Sequence, residues 1–325
     1  FVVIVTVGFM PGVVLGILLI SLLFIVRYSR IDVVDSSFFL DQLSSSIDRP
    51  AADLRLLNRY GRRAKIFNLR GFLFFGTANS FYESLKRLFE EGGSYEYVVL
   101  NFHRVTGMDS TAVQVFFKIL SFLESTGTLV VFCGMTPSVR QSLLQAEHFD
   151  QKRLLVRDDL DSALKWVEEH LLVTHEPAAG PTNIHEIVAA IIGDREKTDW
   201  LVGNMERLEV GKGDYLFRMG ESDTSLYVIE SGMIEVRLES AGRVTRLRDF
   251  CEGTVIGEMA AYSDQKVRTA SAVAITPSVV YRLAPEKIAA ADASRRANLP
   301  ILHEFVARLV VSRLTFMNKR LELGL

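Results

Sequence analysis

The chain has 325 residues, with 37 Lys and Arg against 39 Asp and Glu and so a formal charge of −2. At roughly 100–200 residues per unit the length predicts two or three domains, and the balanced charge argues against a protein that coats nucleic acid. Apolar residues make up 49% of the chain and prolines number 8, which excludes a disordered or collagen-like polymer. Two cysteines, Cys133 and Cys251, are too few and too distant for a disulfide framework or a tetrahedral zinc site, and they fit a reducing compartment. The sequence opens on Phe1 inside an apolar run and reads as the back part of a longer protein.

Phe1 to Val26 carries no charged residue, and a helix of that length exceeds the roughly 20 residues that cross a bilayer core. Arg27, Tyr28 and Arg30 follow at once, as the positive-inside rule and the interfacial aromatic preference require of a cytoplasmic exit. Residues 1–30 are therefore expected to end a transmembrane domain, with everything after about residue 30 cytoplasmic. Gly8, Pro11, Gly12 and Gly16 allow either a short helix, a turn and a helix from about Val13, or a small-residue face against an upstream transmembrane helix. Thr6 to Phe9 spells most of a potassium-channel filter, but Met10 and Pro11 follow where such a filter continues with Gly.

Residues 31–63 read as a basic juxtamembrane linker. From Arg49 to Lys65, the basic residues Arg49, Arg55, Arg59, Arg62, Arg63 and Lys65 face a single acid, Asp53, so that anionic headgroups would attract this stretch; a solvated connector helix is the alternative.

From residue 64 to 172, strand-like and helix-like stretches alternate. Lys65–Leu69 and Phe72–Phe75 read as strands split by Gly71, followed by a helix over Asn79–Glu90. Then come a strand at Tyr95–Phe102, a helix at Ser110–Glu124, a strand at Leu129–Phe132 and a helix at Pro137–Gln145, with a last strand at Leu154–Val156 and a last helix at Leu160–Leu172. This order predicts an open, mostly parallel α/β sheet covered by helices. The order, the segment Gly71–Ala78 and the turn Asp109, Ser110, Thr111 opening a helix resemble a STAS domain as carried by SulP-family anion transporters, directly after the last membrane helix. In related bacterial regulators the matching Ser is a phosphoacceptor, which by resemblance points to Ser110 with Thr111 beside it. Those regulators continue with Gly where this chain has Ala112, and Thr111 with Gln114 also spells a capping box.

Residues 173–183, rich in Pro and Gly, read as a linker. After a helix near Ile184 the period changes to two. Short strands are expected at Leu216–Arg218, Leu226–Ile229, Met233–Leu238, Val244–Arg248, Thr269–Ala274 and Val279–Leu283, with glycines at the joins, as in a small antiparallel barrel or jelly roll. Pro285–Ala293 and Ile301–Leu323 return to helix, with Leu302, Phe305, Leu309, Met317 and Leu321 as an apolar stripe.

Between two of these strands lies GEMAAYSDQKVRTA, Gly257 to Ala270. Gly257 frees the backbone for a turn, a short helical turn aims amides inward, and small Ala260 and Ala261 let an anion approach. Arg268 returns over the same spot with a fork suited to phosphate. The arrangement resembles the phosphate cassette of cyclic nucleotide-binding domains, and residues 184–325 follow that family's order of elements. The resemblance implies that Arg268 pairs with the cyclic phosphate, Glu258 accepts from the ribose hydroxyl, Gly257 and Met259 give loop amides beside Ala260, and Thr269, next to Ala270, touches phosphate or base. Nothing in the last helix distinguishes cAMP from cGMP.

The expected whole is multidomain: the end of a transmembrane helix domain, a STAS domain, and a jelly-roll cyclic nucleotide-binding domain with flanking helices. The implied role is the cytosolic regulatory part of a SulP-type anion transporter for sulfate, bicarbonate or another solute. In that role a cyclic nucleotide would be the ligand, the lipid bilayer and upstream helices the partners, and a homodimer the assembly. Alternatives are a fragment of a cyclic-nucleotide-gated channel, whose connector would be purely helical, and a transporter whose nucleotide domain holds no ligand. A DNA-binding regulator would need a helix-turn-helix after the barrel, and no nucleic acid partner is expected. The six histidines form no spaced metal set and no nucleophile motif stands out, so neither catalysis nor a metal is expected.

Overall fold

The computed structural model describes residues 8–29, 33–144, 155–175, 183–240 and 242–284, with helical positions 300, 303, 306, 307 and 311. Thr6 and Val7, residues 176–182 of the expected linker, the helix expected at Pro285–Ala293 and the stripe Leu302, Phe305, Leu309, Met317 and Leu321 lie outside them.

In chain order the first elements are α1 (Phe9–Ser29), β1 (Val34–Phe39), β2 (Ile47–Asp48), α2 (Ala51–Tyr60), β3 (Ala64–Leu73), α3 (Phe75–Glu90), β4 (Tyr97–Met108), α4 (Ser110–Ser125), β5 (Leu129–Cys133), α5 (Pro137–Leu144), β6 (Leu155–Arg157) and α6 (Leu160–His175). There follow α7 (Ile184–Ile192), α8 (Arg195–Gly203), β7 (Glu206–Val210), β8 (Tyr215–Phe217), β9 (Leu226–Ser231), β10 (Met233–Ser240), β11 (Arg243–Cys251), β12 (Val255–Ile256), α9 (Glu258–Tyr262), β13 (Ser271–Ala274) and β14 (Ser278–Leu283). These divide into two compact units, Phe1–Ser44 with Arg59–Val167, and Ser45–Asn58 with Glu168–Leu325.

The first unit is an α/β sheet in the order β1-β3-β4-β5-β6, with β3 to β6 parallel and β1 antiparallel at the edge. Tyr97 to Leu100 of β4 are all buried, the continuous apolar run of a strand covered on both faces. Phe81 and Leu85 of α3, Phe116 and Ile119 of α4, and Val139 of α5 join Phe102 and Phe132 in one core. Two expectations change here. The strands expected on either side of Gly71 are one strand, because Gly71 at φ +77° bends β3 without leaving β4. The helix expected from Asn79 starts at Phe75, where the Thr77 hydroxyl accepts from the Phe74 amide at 3.1 Å.

Nor are residues 31–63 a linker. Val34–Phe39 pairs with β3, and Asp35 is held by Arg70 at 2.8 Å and by Arg104. Arg62 bonds Asp41 and Arg63 bonds Glu96, so part of the basic cluster is neutralised internally.

Helix α1 starts at Phe9, with Pro11 in its first turn where a missing amide costs nothing. A helix starting only at Val13 is thus not what forms. No helix among the described residues is long and apolar enough to cross a membrane. The described side chains of α1 are nonetheless apolar and largely exposed, with Met10 at 73% and Ile20 at 70%.

The second unit is a two-sheet β-sandwich, β2-β11-β10-β13-β8 over β12-β9-β14-β7. Ile229, Ile234, Ala272, Ala274 and Val280 fill the space between the sheets. Ile184, Ile187 and Val188 of α7 and Leu201 of α8 cover Leu226, Val228 and Leu283. All six expected strands form. β7 was hidden by its polar sequence, ERLEV, and β12 by its length of two residues.

β2 is the larger surprise, since the chain ahead of β3 supplies an edge strand to a sheet some 200 residues further on. Ile47 and Asp48 lie parallel to Asp249 and Phe250, and the Asp249 amide donates to the Ser46 carbonyl at 3.2 Å. The buried Glu168 carboxylate anchors the segment. It accepts the Ser45 amide and hydroxyl, both at 2.6 Å, and Arg49 Nε at 3.0 Å. Truncating one partner of so buried a pair strands the other's charge. Glu168→Ala is expected to lower the unfolding free energy of this unit by about 3–5 kcal/mol. Urea denaturation checks this; an unshifted midpoint would mean that the pair contributes nothing.

Candidate functional site

The site is built where β12 turns into α9. Gly257 sits at φ +98°, a left-handed conformation that a side chain resists. A Cβ there would also lie 2.6 Å from the Ser225 carbonyl oxygen and 2.8 Å from Arg268 Nη1. From this corner the first residues of α9, whose amides have no carbonyl partner within the helix, line the same cavity as Arg268.

Arg268 is 2% exposed, the largest of the fully buried side chains. Its backbone is pinned to the turn before β9, with its amide donating to the Glu221 carbonyl at 2.9 Å and its carbonyl accepting from Gly220 at 2.8 Å. The guanidinium carbon lies over the Phe217 ring, 3.9 Å from the centroid. Nη1 donates to the Gly257 carbonyl at 3.1 Å, and Nη2 donates to Asp223 Oδ2 and to the Ser225 carbonyl, both at 2.8 Å. The remaining nitrogen, Nε, is buried with no partner. A buried donor left open in this way costs free energy unless a ligand completes it.

Gly257, Glu258, Met259, Ala260, Arg268, Thr269 and Ala270 all line one cavity of about 220 Å³. Its other walls are Phe217, Val236, Leu238, Leu247, Phe250 and Ile256. The polar groups therefore gather at one end, and the rest is a hydrocarbon and aromatic surface that suits a flat ring. An anion joined to a planar apolar body matches both halves.

Over residues 56–163 the sequence matches the STAS domain family, and over residues 207–293 the cyclic nucleotide-binding domain family. The chain carries both domains. Among curated relatives it is similar to Glutaminase 2 of Bradyrhizobium diazoefficiens, 24% identical over 242 residues that cover 72% of this chain and 37% of that protein. It is also similar to the vacuolar basic amino acid transporter VSB1 of Saccharomyces cerevisiae, 24% identical over 180 residues, 52% of this chain and 17% of that one. The chain thus spans well under half the length of either relative. Among solved structures, the catabolite activator protein of Thermus thermophilus is 25% identical, covering 40% of this chain and 59% of that one at a TM-score of 0.34.

In the cyclic nucleotide-binding domain, the residues that sequence reasoning missed are those that hold Arg268. Asp223 accepts from Arg268, from the Ser225 amide at 3.0 Å and hydroxyl at 2.7 Å, and from the Tyr227 hydroxyl at 3.1 Å. Arg282 donates to Ser225 Oγ at 3.0 Å and approaches Asp223 at 3.6 Å. Burial alone would raise the Asp223 pKa, but the bonds from Arg268 and Ser225 outweigh it and hold the carboxyl well below the usual range. The Tyr227 phenol is pushed up to about 12 by burial and by the neighbouring carboxylate. The signal available in the sequence was the turn ESDTS before β9, where an Asp is ordinary.

In the STAS domain the turn before α4 is capped by Asp109, whose carboxylate accepts from the Ala112 amide and from the Thr111 hydroxyl, both at 2.7 Å. The capping box expected from Thr111 and Gln114 does not form. Ser110 is exposed at the first helical position, so a phosphate there would meet helix amides but also the Asp109 carboxylate, and the two charges oppose each other.

Two outcomes follow from the Arg268 cluster. Because Asp223 titrates lower when folded, it stabilises the domain above its unfolded pKa of about 3.9, and that contribution fades as the pH falls below this value. Asp223→Asn should therefore unfold more readily at neutral pH and lose less stability between about pH 4 and pH 2 than the wild type; parallel denaturation curves across that range would count against the pair. Gly257→Ala, which places a methyl against Ser225 and Arg268 at positive φ, should cost about 1–3 kcal/mol on the same assay.

Proposed function

We propose that this chain is the cytosolic regulatory region of a SulP-type membrane anion transporter, in which the second domain senses a cyclic nucleotide. Its part is regulatory rather than catalytic. The single observation that carries the nucleotide reading is the open Nε of buried Arg268 in a cavity that the cassette lines at one end and apolar side chains at the other. A cyclic phosphate would take Nε and the amides of Met259 and Ala260, Glu258 would accept from the ribose, and the base would lie along Phe250, Val236 and Leu247.

Two features support the membrane part. The described portion of α1 exposes Phe9, Val14, Ile17, Leu18 and Ile20, an apolar surface that is costly to leave in water. The similarity to a vacuolar transporter points the same way, although it covers 17% of that protein. The similarity to a glutaminase favours a second reading, in which the STAS and nucleotide-binding pair is a regulatory module outside transporters. The exposed helix favours the membrane reading.

Calorimetric titration of the chain with cAMP and cGMP tests the first part. Arg268→Ala is expected to weaken binding at least about 100-fold, in line with loss of a buried charge-assisted contact; affinity equal to wild type would remove the cassette assignment. Expressed in cells, the chain should sediment with membranes and resist alkaline washing, whereas recovery in the soluble fraction would favour the module reading.

A further inference from the structure

The segment between β1 and β3 leaves the STAS sheet, contributes residues 45–58 to the other unit, and returns. Both of its ends are covalently continuous with neighbouring strands of the STAS sheet, since β1 and β3 pair with each other. What it meets in the middle is the outer edge of the cavity strand. Asp48 pairs with Phe250, and Phe250 is a wall of the cyclic nucleotide cavity.

A two-residue strand is too short to hold its place by pairing alone. Side chains hold it. At its start, Ser45 and Arg49 grip Glu168, which is 1% exposed. Along its length the Cys251 thiol donates to the Asp48 carbonyl at 3.2 Å, and Arg248 faces the Asp48 carboxylate at 3.6 Å. On the β11 side, Asp249 is 1% exposed and bonds Arg246, so the register at Asp249 and Phe250 is fixed from both directions. Alternation along β11 then lets Phe250 line the cavity while the amide of adjacent Asp249 donates to the Ser46 carbonyl of the segment, so neighbouring residues of one strand serve both.

We propose that residues 45–50 form a strap that reads the state of the nucleotide cavity through Phe250 and β11 and passes it along the chain into β1 and β3 of the STAS domain. This rests on the nucleotide reading above. A ligand against Phe250 restricts β11, and a restricted β11 holds the strap more firmly. By linkage, a strap released from its anchor weakens the ligand by the same factor. Arg49 and Ser45, which line no part of the cavity, are then positioning residues for binding, acting at a distance through the strand.

The test uses the full chain and cAMP as the probe. Amide hydrogen exchange of peptides spanning 45–50 is followed with and without cAMP, and cAMP affinity is measured by calorimetry for wild type, Arg49→Ala and the milder Ser45→Ala. Saturating cAMP is expected to slow exchange at Ser46 to Asp48 about fivefold or more, and Arg49→Ala to weaken cAMP by a matching factor, with Ser45→Ala in between. Wild type that binds cAMP with no change in exchange at 45–50, or folded variants that bind it as tightly as wild type, overturn the strap and leave the nucleotide site standing. Wild type that binds no cyclic nucleotide overturns both.

Discussion

A guanidinium cannot shed its charge, and Arg268 is placed where water reaches almost none of it. Everything around it answers that constraint. Asp223 supplies the counter-charge, the carbonyls of Ser225 and Gly257 take two further donors, and the Phe217 ring offers its electron-rich face. These partners come from β8, the turn into β9, the start of β9 and the β12 corner. A single side chain therefore ties four parts of the sandwich into one corner, and the shape of the cavity is set by how that charge is satisfied. The arrangement is also incomplete, because Asp223 shares its charge with Arg282 and Tyr227 and Nε is left over. A buried donor left without an acceptor favours a ligand that brings one.

Much of this was legible because the chemistry was local in the chain. Gly257 and Arg268 stand eleven residues apart with small residues between, and the turn, the short helix and the returning strand all lie inside that interval. The same holds for the STAS sheet, whose alternating strands and helices announce themselves by period. What escaped was non-local or ambiguous in residue type. Asp223 looked like any turn acid until folding brought it 2.8 Å from Arg268, and nothing in Ile47 and Asp48 foretold pairing with Asp249 and Phe250. The basic stretch around Arg62 suggested headgroups, yet Asp41 and Glu96 had already claimed part of it. The Asp109, Ser110, Thr111 turn shows the same limit on a smaller scale, since three residues could cap and only the geometry shows that Asp109 does.

The interrupted STAS domain changes what the order of domains means. A reading by length places a membrane segment, a basic linker, a sheet and a sandwich in series, with a second linker at residues 173–183 between the last two. The chain instead visits the sandwich between the first two strands of the sheet, so the two folds share backbone at residues 45–58 as well. A short segment anchored by Glu168 is a packed, hydrogen-bonded element, of the kind that switches between discrete arrangements.

The lining of the cavity bears on which ligand features the domain can discriminate. Its charged and hydroxyl-bearing side chains, Glu258, Arg268 and Thr269, sit together on the cassette, and the opposite walls are Val236, Leu238, Leu247 and Phe250. Apolar walls grip a ring by area and stacking but separate isosteric rings weakly, whereas a site that must pair a buried polar group rejects analogues lacking it far more strongly. Selection in this cavity would therefore fall mainly on the ligand groups that meet Glu258, Arg268 and Thr269. Strong response to a ligand's polar groups with modest response to its apolar body is the behaviour that such a division of polar and apolar surface dictates.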